Sequence, residues 1–231
     1  MKQGVAIQGP TQWCKPTADS YSKLDCPVVW ATWVDEPPEN IDYIKSTGIK
    51  VILVEKPNFS GFLNINMQSV SAIASIKYLI EEYGVDEILK ARGDVLVSNP
   101  SKLLEILKGK QAAFIGTCKE GARRDIYYEL IYPHHSHDYP DNNFLYGTSE
   151  NVFNAFNFEM EEFQPIPPES LVAYHLMDSM GVEFNLGFEY MKSKGIYFYF
   201  KDIIENNIEI TWLKHNSSIN ETYLNTEEYD W

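Results

Sequence analysis

The alternation of strand-like and helix-like segments in the first 56 residues most limits the fold of this chain. Residues 4–8, 27–33 and 50–56 are short apolar runs of strand length, and residues 17–25 and 35–47 between them have helix patterns. Strand–helix–strand units of this kind place their strands in parallel through right-handed crossovers. The sequence therefore predicts an α/β fold with a Rossmann-like, mostly parallel central sheet flanked by helices, over one domain of residues 1–231.

The first strand ends at a turn that is a candidate ligand-binding loop. Ligands of open α/β sheets sit at the carboxyl ends of the strands, near the point where the strand order reverses. Gln8, Gly9, Pro10 and Thr11 occupy such an end, where backbone N–H groups can approach a ligand. An ordinary strand-to-helix connection explains the same residues. The GxGxxG and GxxxxGK[ST] phosphate motifs are absent, which removes support for nicotinamide chemistry and P-loop hydrolysis.

Residues 84–100 predict one long buried strand that carries polar groups into the middle of the molecule. Apolar residues at both ends of this stretch surround Lys90, Arg92 and Asp94. Polar groups are costly inside a sheet unless a charged partner meets them, so this pattern is typical of a site. The alternative is an exposed strand end at which Arg92 and Asp94 pair with each other.

Near the other end of the chain, residues 210–215 form one more strand-like piece, followed by a polar, acidic tail.

A polar cluster precedes the helix predicted from about residue 69 to 83. Asn64, Asn66 and Gln68 follow a break in the apolar pattern. These side chains can hydrogen-bond a polar ligand at the helix N-terminus, where anions are also favoured. They can equally well only cap the helix.

Charge and composition exclude several partners. The net charge of −14 and the pI near 4.7 oppose nonspecific binding to nucleic acid. A phosphate-bearing ligand then needs a local cation, for which Lys90, Arg92, Arg123 and Arg124 are the candidates. No apolar run reaches membrane-spanning length, and three cysteines cannot all pair, so we expect reduced thiols and a cytoplasmic protein with no transmembrane segment.

Several short segments resemble, in the same order, the WavE family of lipopolysaccharide-synthesis proteins, which are glycosyltransferase-like proteins of GT-A type. The resemblance spans roughly residues 4–180 and lies in VAIQGPT, VVWATW, NINMQSVSAIAS, ILKARGDVLVSNP, DNNFLYGTSENVFNAF and PPESLVAYHL. It implies a GT-A-like fold and transfer of a sugar from a UDP-, GDP- or dTDP-sugar donor to a carbohydrate acceptor. The nucleotide-sugar half is then about residues 1–100, and the acceptor half about 101–231.

The resemblance also implies a divalent cation on the donor diphosphate. In GT-A folds an Asp-x-Asp signature at the end of the central strand binds Mn²⁺ or Mg²⁺, and Asp94 occupies that place. The signature is incomplete, because Arg92 and Leu96 stand two residues to either side. Arg92 or Lys90 can assist the metal or substitute for it. The expected donor-binding residues are those of the first loop and of the polar cluster, together with Arg92.

An inverting transfer also needs a group that takes the proton of the acceptor hydroxyl. Asp141 and Glu169 are the candidates, since both lie in the predicted acceptor half. Each also has a structural explanation, in which Asp141 shapes a turn and Glu169 favours its helix N-terminus. Two other functions stay open: a nucleotidyltransferase, and a carbohydrate-binding protein that retains the fold without turnover.

Overall fold

A seven-stranded sheet lies at the centre of the computed structural model, which describes residues 1–115, 118–119, 139–140, 144–160, 168–185, 188–198, 200–214 and 217–218. The strands of the described residues are β1 (Gln3–Gln8), β2 (Val28–Trp33), β3 (Lys50–Val54), β4 (Glu87–Arg92), β5 (Val95–Val97), β6 (Ala112–Phe114), β7 (Cys118–Lys119), β8 (Tyr139–Pro140), β9 (Leu145–Thr148), β10 (Ile196–Phe198), β11 (Ile210–Trp212) and β12 (Ser217–Ser218).

Helices connect most of these strands. They are α1 (Cys14–Tyr21), α2 (Pro38–Ser46), α3 (Ile65–Tyr78), α4 (Pro100–Leu107), α5 (Ser149–Phe156), α6 (Pro168–Ser179), α7 (Phe188–Ser193) and α8 (Phe200–Glu205). A 3₁₀ turn, Phe62–Asn64, precedes α3, and a π-helical turn, Leu79–Tyr83, follows it. Among the described residues, no helix combines the length and the apolar character needed to cross a membrane.

The strand order of the central sheet is β10-β6-β9-β4-β1-β2-β3. All neighbouring pairs are parallel except those of β9, which runs antiparallel to both β4 and β6. The predicted mostly parallel sheet flanked by helices is therefore confirmed. The chain passes from β1 outward to β2 and β3, then returns to β4 on the opposite side of β1. This reversal between β1 and β4 is where open α/β sheets bind ligands.

The sheet has an apolar core on each face, which explains why its central strands carry few polar residues. One core contains Trp30 and Leu89 from the sheet and residues of α1 and α4. The other contains Ile88 and Phe114 from the sheet and residues of α3, α5 and α6. All six residues of β2 are buried, as expected for a strand covered on both faces.

The long strand predicted over residues 84–100 is divided in two. β4 ends at Arg92, and β5 leaves the central sheet to pair with β11 in a separate three-stranded sheet. The division falls at Gly93, whose N–H still donates to the carbonyl of Gln8 over 2.9 Å. A Cβ on Gly93 would lie 2.4 Å from ring atom Cζ2 of Trp30, so the backbone passes over the Trp30 ring in a way that only glycine permits.

The helix boundaries also differ from the prediction. The first helix begins at Cys14 instead of residue 17, and α3 begins at Ile65 instead of residue 69. The start of α3 is set by backbone geometry, because Asn64 adopts the left-handed conformation and its side chain makes no capping hydrogen bond. The strand-like piece near residue 210 is confirmed as β11. The assignment of the two halves of the chain to nucleotide sugar and acceptor stays a prediction.

Candidate functional site

A cleft of about 450 Å³ opens at the carboxyl ends of β1 and β4, beside the reversal of strand order. Several of the predicted site residues line it: Gln8, Gly9, Pro10, Asn64, Gln68, Arg92 and Asp94. The other lining residues are Gln12, Trp13, Trp33, Leu63, Met67 and Lys214. Its volume falls in the range of small-molecule sites, which is about 300–1,000 Å³. The structure thus brings segments that are far apart in the sequence to one place.

The loop after β1 forms one wall of the cleft and is held in place by hydrogen bonds to neighbouring elements. The N–H of Gly9 donates to the carbonyl of Ala31 over 3.3 Å, and the Gly9 carbonyl accepts from Nε1 of Trp30 over 3.1 Å. Gly9 has a φ of 108°, a conformation that favours glycine. The buried Gln8 side chain accepts a hydrogen bond from Oγ of Ser71 over 3.0 Å. The loop therefore has a set position before any ligand arrives.

Thr11 is turned away from the cleft. Its backbone N–H and its Oγ1 both donate to Oε2 of Glu36, and Oγ1 accepts from Nδ2 of Asn40 over 3.1 Å. The side chain is buried and does not line the cleft. These bonds anchor the β1 loop to α2. A direct contact of Thr11 with a donor stays a prediction that this arrangement does not favour.

The polar cluster before α3 divides into residues that line the cleft and one that does not. Asn66 is buried, and its Nδ2 donates to the carbonyl of Phe59 over 3.2 Å, which holds the preceding loop in place. Asn64 and Gln68 line the cleft. Nε2 of Gln68 donates to the carbonyl of Leu63, while its Oε1 is buried with no hydrogen-bond partner in the described part of the chain. Gln68 is therefore a residue of the cleft wall with an unsatisfied side-chain acceptor.

The backbone at the cleft mouth is strained at Leu63. Leu63 has φ 49° and ψ 33°, the left-handed region, and the next residue, Asn64, has φ 63°. Asparagine tolerates this region through its short polar side chain, whereas leucine does so only at a cost of roughly 1–2 kcal/mol. Strain of this kind occurs at ligand-binding sites.

We expect Leu63→Gly to be more stable to unfolding than Leu63→Ala by about 1 kcal/mol. Alanine retains a Cβ in the left-handed region, whereas glycine adopts that region without steric cost. Both variants remove the exposed leucine side chain, so their difference reports the backbone alone. Urea unfolding of the two variants measures it. Where the backbone is helical or extended, an alanine variant is more stable than a glycine variant. If Leu63→Ala proves more stable than Leu63→Gly, the left-handed conformation of Leu63 is wrong.

Arg92 and Asp94 form the charged centre of the cleft. Nε and Nη2 of Arg92 donate to Oδ1 and Oδ2 of Asp94, each over 2.8 Å. Nε1 of Trp212 donates to Oδ2 over 3.3 Å, and the Arg92 guanidinium carbon lies 5.6 Å from the centre of the Trp212 ring. The pairing offered as the alternative in the sequence is thus present. It is largely buried, however, with 7% of the Asp94 side chain exposed.

The environment keeps Asp94 ionised. Burial by itself raises the pKa of the Asp94 carboxyl, but the hydrogen bonds and positive charge of Arg92, with the hydrogen bond from Trp212, lower it by more. The resulting pKa of Asp94 lies below its usual value. An Asp94 carboxylate that stays charged holds the Arg92 guanidinium in one orientation.

The lowered pKa predicts how stability depends on pH. Because the folded pKa of Asp94 is below the unfolded value of about 3.9, its charge stabilises the fold above about pH 4, and this contribution is lost as the pH falls through the folded pKa. We expect the difference in unfolding free energy between wild type and Asp94→Asn to shrink steadily below about pH 4. Urea unfolding of both proteins from pH 7 to 3 measures it. A difference that is constant with pH would contradict the pairing.

The surroundings of the Asp94 carboxylate do not fit a divalent cation. Both carboxylate oxygens already accept hydrogen bonds from Arg92, and a cation on Asp94 would lie beside the guanidinium charge. Over the described ranges no group of three or more His, Cys, Asp or Glu side chains is arranged to bind a metal. Binding of Mn²⁺ or Mg²⁺ by Asp94 stays a prediction.

The other predicted residues lie outside this centre. Lys90 is fully buried and does not reach the cleft, and its ammonium nitrogen lies 5.0 Å from the centre of the Phe156 ring. Glu169 is half-buried in the first turn of α6, a helix that contacts the 3₁₀ turn Phe62–Asn64 at the cleft mouth. Asp141, Arg123 and Arg124 lie outside the described residues. The roles of Glu169 and Asp141 stay predictions.

Sequence reasoning missed several residues of the cleft. Trp13 and Trp33 lie just after β1 and at the end of β2, so their position at the carboxyl edge of the sheet was a readable signal. Lys214, which lines the cleft, and Trp212, which donates a hydrogen bond to the cleft residue Asp94, had no such signal. They come from β11 and the residues after it, and the pairing of β11 with β5 brings them beside Asp94.

The fold of this chain is similar to that of solved structures. The sequence matches no protein-family model, and no curated protein matches it. Similar solved structures include 4-diphosphocytidyl-2C-methyl-D-erythritol synthase from Anaerococcus prevotii, 10% identical over 89% of this chain and 94% of that chain, with a TM-score of 0.50. This chain shares the fold of that synthase. At this identity the likeness extends to the fold alone.

The similar structures also include galactosyltransferase LgtC in complex with donor and acceptor sugar analogs. It is 12% identical over 85% of this chain and 72% of that chain, with a TM-score of 0.45. The α/β fold predicted from the sequence is thus confirmed by the sheet topology and by the synthase. Membership of the WavE-like family stays a prediction carried by the sequence motifs.

Proposed function

We propose that this protein is a glycosyltransferase that moves a sugar from a nucleotide diphosphate donor to a carbohydrate acceptor. The observation that carries the proposal is the composition of the cleft at the reversal of strand order. It combines the cationic side chains of Arg92 and Lys214, the indole rings of Trp13 and Trp33, and the buried acceptor Oε1 of Gln68. These groups match the anionic, aromatic and hydroxylated parts of a nucleotide sugar.

Each part of the donor has a suitable partner in the cleft. The half-buried Trp13 offers an indole surface on which a nucleobase can stack. The Arg92 guanidinium suits the diphosphate, because its planar N–H groups bind phosphate oxygens well. Oε1 of Gln68 suits a hydroxyl of the donor sugar, since that contact would satisfy a buried acceptor.

The proposed reaction exchanges one bond at the anomeric carbon of the donor sugar. The bond to the phosphate oxygen breaks, and its electron pair leaves with the nucleoside diphosphate. The acceptor oxygen forms the new bond and gives up its proton to a base, for which Glu169 and Asp141 are our candidates. Arg92 would stabilise the negative charge that develops on the leaving group. Asp94 fixes the Arg92 guanidinium beforehand, so little reorganisation is required at the moment of reaction.

A nucleotidyltransferase is the second candidate, because the synthase with the same fold carries a diphosphocytidyl product in its name. That class transfers a nucleoside monophosphate from a nucleoside triphosphate to a sugar or alcohol phosphate with release of pyrophosphate, and it calls for more positive charge around the first loop. Residues 9–13 of this chain, GPTQW, contain neither lysine nor arginine. This composition favours a diphosphate donor over a triphosphate.

A ligand panel tests the proposal. Thermal shift is measured with UDP-, GDP- and dTDP-sugars, with the four nucleoside triphosphates and with oligosaccharides. It is followed by an assay for release of free sugar, or of pyrophosphate in the presence of a sugar phosphate. We expect one nucleotide sugar to raise the melting temperature and to be hydrolysed slowly, since water can replace the acceptor. Pyrophosphate release from a triphosphate with a sugar phosphate would instead establish the nucleotidyltransferase. A shift with oligosaccharides alone would leave a carbohydrate-binding protein.

A further inference from the structure

The geometry points to a phosphate site built from side-chain cations alone. We propose that Arg92 and Lys214 together bind the phosphate groups of the ligand, and that this binding requires no divalent cation. The inference rests on the proposed function only in that the ligand carries a phosphate or diphosphate. It assigns a role to Lys214 and replaces a metal on Asp94 with a carboxylate that positions Arg92.

The hydrogen bonds that Asp94 already accepts leave it little capacity for a cation. A carboxylate offers about four acceptor positions. Oδ1 accepts from Nε of Arg92, and Oδ2 accepts from both Nη2 of Arg92 and Nε1 of Trp212. Three positions are therefore used, and the guanidinium beside them repels a second cation. Mg²⁺ or Mn²⁺ would have to break the Arg92 pair before it could bind Asp94.

The Arg92 guanidinium has a fixed orientation at the edge of the cleft. Two parallel N–H···O bonds to Asp94 hold the guanidinium in a plane, and the Trp212 ring lies 5.6 Å from its central carbon. The Arg92 side chain is 22% exposed and lines the cleft. A guanidinium fixed in this way presents its charge to the cleft with little further loss of side-chain freedom on binding.

Lys214 supplies a second positive charge to the same cleft. β11 pairs with β5 so that Trp212 stands opposite Val95, and the N–H of Leu213 donates to the carbonyl of Asp94 over 2.9 Å. The next residue, Lys214, is exposed and lines the same cleft as Arg92. Its flexible stem and point charge complement the planar guanidinium in contacting phosphate oxygens.

The charges that line the cleft support a phosphate site at Arg92 and Lys214. Among the described residues, the charged side chains that line the cleft are Arg92, Lys214 and Asp94, which together carry a net charge of +1. The whole chain has a net charge of −14. The cleft is thus a positively charged place on a strongly acidic protein, and it attracts the anionic part of a ligand.

Calorimetry at one fixed ionic strength tests the inference. The probes are inorganic pyrophosphate and UDP, GDP, dTDP and CDP, each titrated in EDTA and in Mn²⁺. We expect pyrophosphate and at least one nucleoside diphosphate to bind in EDTA with an affinity within about twofold of that in Mn²⁺. An affinity that disappears in EDTA and returns with Mn²⁺ overturns the inference, as does the absence of binding by every probe.

Charge variants test the role of Lys214. Lys214→Gln should weaken binding about tenfold, which is roughly 1.4 kcal/mol, while Lys214→Arg should retain most of it. The matched control is Lys77→Gln, which removes the same charge from the exposed C-terminal end of α3. Equal affinities for Lys214→Gln and wild type would overturn the assignment of Lys214.

Failure of the inference and failure of the proposed function are separable. Sugar transfer that occurs only with Mn²⁺ would retain the glycosyltransferase and reject the metal-free site. Binding of nucleoside diphosphate in EDTA, without sugar transfer from any donor to any acceptor, would retain the site and reject the glycosyltransferase.

Discussion

Gly93→Ala is expected to destabilise the protein and to abolish most of its activity. The new Cβ would lie 2.4 Å from Cζ2 of Trp30, a fully buried ring that cannot move without breaking its hydrogen bond to Gly9. Overpacking of this kind costs about 1–3 kcal/mol of unfolding free energy. Because Gly93 joins Arg92 to Asp94, any shift of its backbone also displaces the charged centre. A displacement of about 1 Å is enough to lower turnover about 10²-fold.

Gly147→Ala is the matched control for this prediction. Its Cβ would lie 2.6 Å from the carbonyl oxygen of Gln111, so it is also expected to destabilise the fold, but it lies in β9 and does not line the cleft. Urea unfolding gives the stability of both variants, and calorimetry with a nucleoside diphosphate gives binding by the folded fraction. If Gly93→Ala and Gly147→Ala retain equal affinity, Gly93 matters only for folding.

Glu169→Gln is expected to lower turnover by about 10²–10⁴-fold with little change in nucleotide binding, if Glu169 is the base. General-base catalysis acts only in the transition state, so its loss affects the rate and leaves the affinity for the donor. Glutamine retains the size of the side chain and removes its basicity. Initial rates of sugar transfer and calorimetry with the nucleoside diphosphate together measure the two effects.

Asp141→Asn supplies the paired test. A large loss in Asp141→Asn with full turnover in Glu169→Gln would assign the base to Asp141. Full turnover in both variants would show that neither carboxylate takes the proton in an inverting transfer. A loss of stability in Glu169→Gln, with normal turnover by its folded fraction, would support the structural role of Glu169 at the start of α6.

Local sequence patterns were enough to predict the centre of the fold. Apolar runs of strand length alternate with helix patterns along β1, β2 and β3. This local alternation was enough to predict that the three strands are parallel. The position of the cleft followed from the rule that ligands bind at the carboxyl ends of such strands. Six of the eight predicted donor residues line it: Gln8, Gly9, Pro10, Asn64, Gln68 and Arg92.

Long-range contacts account for what the sequence did not predict. The end of β4 depends on the close approach of Trp30, in β2, to Gly93, which directly follows β4. Trp212 meets Asp94 across 118 positions of sequence, and no local pattern encodes such a pairing. Thr11 and Asn66 were predicted to bind the donor, but they do not line the cleft, because Thr11 bonds to Glu36 and Asn66 to the carbonyl of Phe59; donor binding by either residue stays a prediction.

The division of the long strand at Gly93 has a consequence for the synthesis of this protein. Arg92 belongs to the central sheet, whereas Asp94 is held by the small sheet that β5 forms with β11. Strands β1 to β4 can emerge from a ribosome and pair early, but β11 begins only at Ile210. A nascent or truncated chain that ends before this residue has the walls of the cleft without Trp212 and Lys214. The cleft is therefore completed only once β11 has been synthesised, well after strands β1 to β4.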